Sequence, residues 1–282
     1  MTLRQLPEAK TFARPQNLQW DAPSDILARW AEMPRAAAEG DDTITIFDVI
    51  GEDWWTGGGF TAKRAAASLR SIGDKPVRVQ INSPGGDLME GIAIYNLLRA
   101  HKAKVTVEVL GWAASSASII AMAGDEIVMG LGTFMMVHNC WGAVLGNRHD
   151  LREGADLFES FDSAITDIYE ARTGGARDEI VKLMDGETVM EPAKALKHGF
   201  ADRVDNSLGT DVPDSTHAVD QALVARRRTE AALARAGYTR AQRTDMFAEL
   251  SSFPTARDAG RSAARDAGPA AGLRQLIDTL KI

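Results

Sequence analysis

Apolar and polar residues alternate in short segments through the first half of the chain, and segments with helical spacing separate them. Alternation is typical of half-buried strands, whereas apolar positions three and four residues apart indicate helices. The pattern predicts strands at 43–50, 76–82, 105–110, 126–129 and 133–137. It predicts helices that begin at Thr61 and Asp87 and a small-residue helix over 113–123.

The second half begins with a long amphipathic helix over 149–173, which ends at Gly174-Gly175. Shorter helices near 178–184 and 192–198 and a strand over 200–204 follow. This β-α-β rhythm predicts a layered α/β fold, with helices packed on a largely parallel sheet.

Composition divides the chain into four parts. Residues 1–41 contain scattered prolines and are predicted to form an N-terminal arm, and 42–205 form the α/β domain. Residues 206–217 have the Gly, Pro, Ser and Asp content of a linker. The remainder, 218–282, is predicted to be a helical, partly disordered extension, with helices near 218–236, 239–250 and 273–280.

Charge and composition exclude several classes of function. The net charge of −7 provides no global basic field for nucleic acid, and we interpret Arg226–Arg228 as a solvated helix face. Cys140 is the single cysteine, so we expect no internal disulfide, and without a Cys/His ligand cluster we expect no metal site. We also expect no cofactor. No segment has the length and apolarity needed to cross a bilayer, so we expect a cytoplasmic protein without a membrane partner.

Three short segments carry candidate chemistry. Ser115 lies in GWAASSAS, where a strand turns into a helix and backbone N–H groups can stabilise negative charge. His138 follows an apolar strand, at the sheet edge where α/β folds collect functional groups, and imidazole is the usual base for a serine hydroxyl. The glycines of Ser83-Pro84-Gly85-Gly86 allow the backbone to turn its amides toward a carbonyl.

Each segment also has a plain structural interpretation. Serines often cap helices, a histidine can stabilise a sheet edge through a hydrogen bond, and a PGG sequence is usually a turn. Ser116 and Ser118 lie in the same segment as Ser115 but are weaker candidates. The other four histidines, on polar helix faces or in the linker, are weaker candidates than His138: His101, His149, His198 and His217.

Taken together, the ordered segments INSPGG, GWAASSAS and MMVHN resemble the ClpP peptidase family over roughly 42–205. The resemblance implies a ClpP/crotonase-like fold of stacked β-α-β units, in which the helix at 149–173 is the family's handle. It also implies Ser115 as nucleophile and His138 as base. The oxyanion hole would be formed by the N–H groups of Gly86 and Ser116, with Gly85 supporting the turn.

The match is looser at the third member of the triad. The family has an aspartate before a helix that ends near a Gly-containing strand, and counting back from GFAD places this position at Glu187. Asp185 is the alternative. A glutamate can orient an imidazole as an aspartate does.

The segments TIFDVIGEDWWTGGG and EIVKLMDGETVMEPAKALKHGFAD resemble phage and prophage ClpP-related head maturation proteases. That resemblance implies a ring-forming homo-oligomer that cleaves capsid or scaffold polypeptides, in the host cytoplasm or the prohead interior. No Walker-type loop is present, so any ATP-driven unfolding would need a partner ATPase, which is left open. Two alternatives remain: a crotonase-type acyl-CoA enzyme and a non-catalytic assembly protein with the same fold.

Overall fold

The computed structural model describes residues 18–20, 42–52, 58–208 and 221–236, and in addition residues 238, 242–243, 245–247 and 249. The chain divides into two compact units between Ala232 and Leu233. In the second unit the described residues are largely helical, and the Arg243 guanidinium donates a hydrogen bond of 2.7 Å to the Tyr238 carbonyl.

The first unit contains nine described strands. They are β1 (Leu18–Trp20), β2 (Thr43–Ile46), β3 (Val77–Ser83), β4 (Val105–Ala114), β5 (Glu126–Gly130), β6 (Phe134–Val137), β7 (Gly142–Val144), β8 (Thr188–Met190) and β9 (Arg203–Asp205).

Seven helices are described. They are α1 (Ala62–Ile72), α2 (Leu88–Arg99), α3 (Ser116–Ala121), α4 (Arg148–Thr173), α5 (Arg177–Asp185), α6 (Pro192–Lys197) and α7 (Gln221–Arg235).

The main sheet is parallel along the order β2-β3-β4-β5-β9. Its central strand, β4, changes partner along its length. The first half pairs with β5, and Trp112–Ala114 pair in parallel with β6. Strand β8 then adds to β6 in antiparallel orientation. The predicted layered α/β fold with a largely parallel sheet and a long helix is therefore confirmed.

Helix ends follow local capping chemistry. The Thr61 hydroxyl accepts a hydrogen bond from the Arg64 amide at the start of α1, and the Asp87 carboxylate accepts from two amides at the start of α2. A capping box at Asn147 opens α4, and Gly174 closes it in the left-handed conformation. The helix starts predicted at Thr61 and Asp87 are thus explained by the side chains of these residues.

The predicted boundary near the candidate nucleophile was wrong. We expected a strand that ends at Leu110 and a helix that begins at Ala113, but β4 continues to Ala114 and α3 occupies Ser116–Ala121. The small residues of GWAA suggested a helix, whereas pairing of Trp112–Ala114 with β6 keeps them extended. Local propensity is overridden here by a long-range strand partner.

Three short strands were not predicted: β1, β7 and β8. Strand β1 pairs in antiparallel orientation with β7 to form a separate two-stranded sheet. The strand expected at 200–204 begins only at Arg203. Segments of three residues are too short to show a period, so their pairing partners alone define them.

Most of the predicted arm, 1–41, lies outside the described residues, as do 209–217 of the linker and 251–282 of the extension. The domain boundaries therefore stay predictions. Helix α7 falls within the helix expected at 218–236. Within the described ranges, no helix combines the length and apolarity needed to span a bilayer.

Candidate active site

Ser115 occupies the sharp turn between β4 and α3. Its φ of 56° lies in the left-handed region, which a residue with a side chain rarely adopts. The Ser115 amide donates a hydrogen bond of 2.9 Å to the Met136 carbonyl of β6. A half-buried hydroxyl is thereby held at the end of the central strand, on a strained strand-to-helix turn of the type that presents nucleophiles in other folds.

His138 reaches Ser115 because β6 lies beside the end of β4. Ala114 pairs with Met136 in the parallel register, so the residues that follow both strands meet at the same sheet edge. The Nε2 atom of His138 lies 2.7 Å from the Ser115 Oγ. His138 as a whole is 9% exposed.

Burial decides the charge state of this histidine. Desolvation lowers the pKa of His138 below its usual value, and the nearby negative charge of Glu187 partly opposes that shift. The imidazole is therefore held in its neutral form at neutral pH. A neutral Nε2 can accept the proton of the serine hydroxyl.

Glu187 comes to His138 through the antiparallel pair β6–β8. Val137 pairs with Thr188, so the next residues outward, His138 and Glu187, face each other across the two strands. Glu187 is exposed and adopts a left-handed φ of 44°. Within the described ranges no hydrogen bond joins its carboxylate to the imidazole, and the interaction between the two is electrostatic.

Asp185, the alternative third residue, ends helix α5 and is engaged elsewhere. Its Oδ1 accepts a hydrogen bond of 2.8 Å from the Asn139 side-chain amide. Asp185 therefore contacts the segment that follows His138 rather than the imidazole itself.

The turn Gly85-Gly86 lies directly against the Ser115 turn. A Cβ atom added to Gly85 would lie 2.6 Å from the Ser115 Cβ and 3.0 Å from the Ser116 N, so only glycine allows this approach. Gly85 and Gly86 both have positive φ, 86° and 152°. Among the described residues, neither the Gly86 nor the Ser116 N–H has a hydrogen-bond acceptor, so both amides are available to a ligand.

Two further contacts around the site were not predicted. The Ser118 hydroxyl lies 2.6 Å from the Ser115 carbonyl oxygen and 2.7 Å from the Tyr169 hydroxyl of α4. The Cys140 amide donates to Asp162 of the same helix, at 2.5 Å. In the sequence, Tyr169 is one of the apolar positions along helix α4, and Asp162 is a polar residue that interrupts them. Neither position indicates in the sequence which loop its side chain contacts.

Of the four weaker histidine candidates, the three that the structure describes lie apart from the Ser115 turn. The His101 ring is within 2.7 Å of the Lys75 carbonyl oxygen, and His149 neighbours Arg148 at the start of α4. His198 caps α6. His217 lies outside the described residues.

A serine hydroxyl beside a neutral imidazole, with two unengaged amides close by, has the arrangement needed for acyl transfer. The family model for Clp protease matches residues 65–207, half of the chain. The chain belongs to the Clp protease family. The match spans β3 to β9 and contains every residue of the candidate site.

Two bacterial relatives of this family carry the description ATP-dependent Clp protease proteolytic subunit. The Deinococcus radiodurans protein is 32% identical over 133 residues, which cover 46% of this chain and 65% of the relative. The Bdellovibrio bacteriovorus protein is 31% identical over 136 residues, which cover 46% of this chain and 64% of the relative. The chain thus spans just under two thirds of the length of these relatives.

Among solved structures, a ClpP1 mutant from Listeria monocytogenes superposes on the chain with a TM-score of 0.51. The two are 22% identical, and the match covers 59% of this chain and 92% of the other. The likeness shows that this member of the Clp protease family has the ClpP fold.

Proposed function

We propose that this chain is a serine endopeptidase of the ClpP type. Ser115 attacks a peptide carbonyl, and His138 accepts its proton and passes it to the leaving amine. The amides of Gly86 and Ser116 stabilise the tetrahedral oxyanion, with Gly85 supporting the turn. Water activated by His138 then hydrolyses the acyl-enzyme. The observation that carries the proposal is the 2.7 Å contact between the Ser115 Oγ and the His138 Nε2.

We assign the third position of the triad to Glu187. It faces His138 across β6 and β8, and its charge favours the imidazolium that forms during attack. Asp185 is the alternative. Its carboxylate accepts a hydrogen bond from Asn139, which favours a structural role in holding the segment after His138.

Fluorophosphonate labelling tests the nucleophile. We expect the wild-type protein to be labelled at Ser115 and the Ser115→Ala variant to remain unlabelled, with circular dichroism of the two proteins identical. Ser116→Ala is the matched control, because it removes a neighbouring hydroxyl and keeps the backbone amide. The modified peptide is mapped by mass spectrometry. Labelling of Ser115→Ala at the wild-type rate would refute the assignment.

The same experiment separates the two other classes of function. A crotonase-type enzyme would bind acyl-CoA and stay unlabelled. A non-catalytic assembly protein would neither be labelled nor cleave peptides in any assembly state, and the missing hydrogen bond between Glu187 and His138 is the feature that favours this alternative.

We infer that the substrates are capsid or scaffold polypeptides of a phage, which act as the chain's partners in the host cytoplasm or the prohead interior. The support is the resemblance of the segments 45–59 and 179–202 to head maturation proteases. Co-expression with phage capsid and scaffold proteins tests this role. We expect shortened capsid or scaffold chains with the wild type and full-length chains with Ser115→Ala.

We propose a ring-forming homo-oligomer. Large apolar side chains are exposed on either side of β7 and near the start of α4: Trp141 at 45%, Leu145 at 78% and Leu151 at 51%. Exposed apolar side chains concentrated in one region are typical of a subunit contact. Native mass spectrometry measures the number of subunits, and Leu151→Glu is expected to reduce it. Addition of an unfoldase ATPase to the peptide-cleavage assay tests separately whether an ATPase docks on the ring.

A further inference from the structure

The left-handed backbone of Ser115 requires contacts that hold it in place. A residue with a side chain persists at a φ of 56° only where its surroundings over-determine the conformation. The Ser115 carbonyl oxygen accepts from the Ser118 amide at 2.9 Å and from the Ile119 amide at 3.4 Å. Its shortest contact is with the Ser118 hydroxyl, at 2.6 Å.

The Ser118 hydroxyl has a defined direction. It has one proton, which it donates to the Ser115 carbonyl, so its contact of 2.7 Å with Tyr169 must be one in which the Tyr169 hydroxyl donates. Ser118 and Tyr169 are 0% and 1% exposed, so water does not compete for these bonds. Burial raises the pKa of Tyr169 well above its usual value, which keeps the phenol protonated as a donor.

Tyr169 is itself rigidly held in helix α4. Its ring packs against Phe200, with ring centroids 5.3 Å apart, and its carbonyl oxygen accepts from the Thr173 hydroxyl at 2.7 Å. A phenylalanine would fill the same space without donating to Ser118. The hydroxyl thus connects the long helix to the turn that carries Ser115.

We infer that Ser118 and Tyr169 are positioning residues for the nucleophile: the chain Tyr169 OH to Ser118 Oγ to Ser115 carbonyl fixes the backbone that aims the Ser115 Oγ at His138. This inference rests on the proposed peptidase function. Neither residue touches the substrate in this role, and both act through the Ser115 backbone. Loss of either bond lets the strained turn relax and moves the hydroxyl away from its line of attack.

A purely structural role predicts a different result. If the Ser118 and Tyr169 hydroxyls only formed a hydrogen bond with each other in the core, removing them would lower the free energy of unfolding. The catalytic rate per folded molecule would then stay unchanged. A positioning role lowers kcat and leaves KM nearly unchanged, because the substrate-binding surface is intact. Misplacement of a reacting group by about 1 Å can slow a reaction about a hundredfold.

The test compares Ser118→Ala, Tyr169→Phe and the double variant with Thr166→Val. Thr166 is the matched control, since it lies in α4, is 2% exposed and donates to the Asp162 carbonyl without contact to the Ser115 turn. The readouts are the second-order rate of fluorophosphonate labelling at Ser115 and kcat and KM for a peptide. Rates are counted per folded molecule, with the folded fraction measured by circular dichroism.

We expect Ser118→Ala to lower kcat and the labelling rate between about tenfold and a hundredfold, and Tyr169→Phe to lower them about three- to tenfold. The double variant should resemble Ser118→Ala, because the tyrosine acts only through that serine. KM should change less than about twofold, and Thr166→Val should keep its rate.

Wild-type rates in both Ser118→Ala and Tyr169→Phe would overturn the inference, as would an equal loss in Thr166→Val. These results are distinct from failure of the proposed function. In that case the wild-type protein itself would be unlabelled at Ser115, and the positioning role would be refuted together with the peptidase.

Discussion

At the residue scale, the candidate site combines a strained backbone with a desolvated imidazole. Ser115 adopts a positive φ at a strand end, and His138 is buried beside it with its Nε2 within hydrogen-bond distance of the Ser115 hydroxyl. Both features store free energy locally, since a relaxed serine and a solvated imidazole are each more favourable. Each can therefore be tested by a single substitution.

The strain at Ser115 predicts an unusual order of stability. Ser115→Gly should be about 1 kcal/mol more stable than Ser115→Ala, because both lack the hydroxyl but only glycine adopts positive φ without steric cost. Urea unfolding measures the difference. At Ser116, the first residue of helix α3, the same pair of substitutions should give the opposite order. Equal stability of the two Ser115 variants would show that the turn is unstrained.

Glu187 predicts a change in the pH profile. Its charge raises the pKa of His138 against the lowering by burial, so Glu187→Gln should move the acidic limb of kcat/KM to lower pH. The same variant should lower kcat at pH 7.5 about tenfold, because the imidazolium loses its electrostatic partner. Peptide cleavage between pH 5 and 8 measures both effects.

Asp185→Asn is the control for that profile. Its carboxylate accepts from Asn139, and we expect the acidic limb to stay near the wild-type position. A larger loss in Asp185→Asn than in Glu187→Gln would assign the third position to Asp185 instead.

At the element scale, helix α4 makes contacts with both halves of the site. Tyr169 meets the Ser115 turn through Ser118, and Asp162 accepts the Cys140 amide in the segment after His138. The two residues are seven positions apart, which places them on one face of the helix, two turns from each other. The long helix was predicted with nearly correct bounds, but nothing in its period indicated these partners.

Asp162 predicts a pH-dependent stability. Burial first, and then the charge of Asp185, raise the pKa of Asp162 to about 6, while the Cys140 amide opposes the shift. The folded chain therefore binds this proton more tightly than the unfolded chain. Its contribution to stability is full below about pH 4 and is lost as the pH rises through about 6.

Asp162→Asn removes the loss of stability that accompanies ionisation of the Asp162 carboxyl. At pH 7.5 the variant should be about 1 kcal/mol more stable than the wild type, or roughly 3 °C in Tm, after allowance for the partial exposure of the group. Below pH 4 the two proteins should unfold at similar temperatures. Asp156→Asn, an exposed change on the same helix, is the control. A wild type that is more stable than Asp162→Asn at pH 7.5 would contradict the prediction.

At the scale of the whole unit, the end of α4 is joined to the sheet by an ion pair in which only the arginine is buried. The Arg172 guanidinium donates to the Asp202 carboxylate, which also accepts from the Ile127 amide of β5 at 2.7 Å. The Arg172 side chain is only 1% exposed, whereas that of Asp202 is 31% exposed. One carboxylate thus connects the long helix, β5 and the approach to β9.

Asp202→Asn should lower the free energy of unfolding by about 3 kcal/mol, because it removes the negative charge beside the Arg172 side chain, which is only 1% exposed. Arg172→Met should lower it less, because the Asp202 carboxylate that remains is partly exposed to water and accepts from the Ile127 amide. The double variant Arg172→Met with Asp202→Asn should recover part of the larger loss, since the buried positive charge is then removed as well. Chemical denaturation measures all three proteins. Additive losses in the double variant would show that the pair is not coupled.

The chemical groups of the site and the order of the elements follow from the chain's own pattern. Periodicity located most strands and helices of 42–205, and the segments around Gly85, Ser115 and His138 were each found at a strand end. These features depend on the spacing of residues within a single segment and on its backbone chemistry, so the sequence of that segment is enough to predict them.

The assembly of those groups depends on pairing between distant segments. Strand β6 lies between β4 and β8, which brings His138 beside Ser115 and opposite Glu187 rather than Asp185. Pairing with β6 also keeps Trp112–Ala114 extended, and helix packing brings Tyr169 to Ser118. Strand register and helix contacts are set by the free energy of the whole core, so only the tertiary structure decides which residues meet.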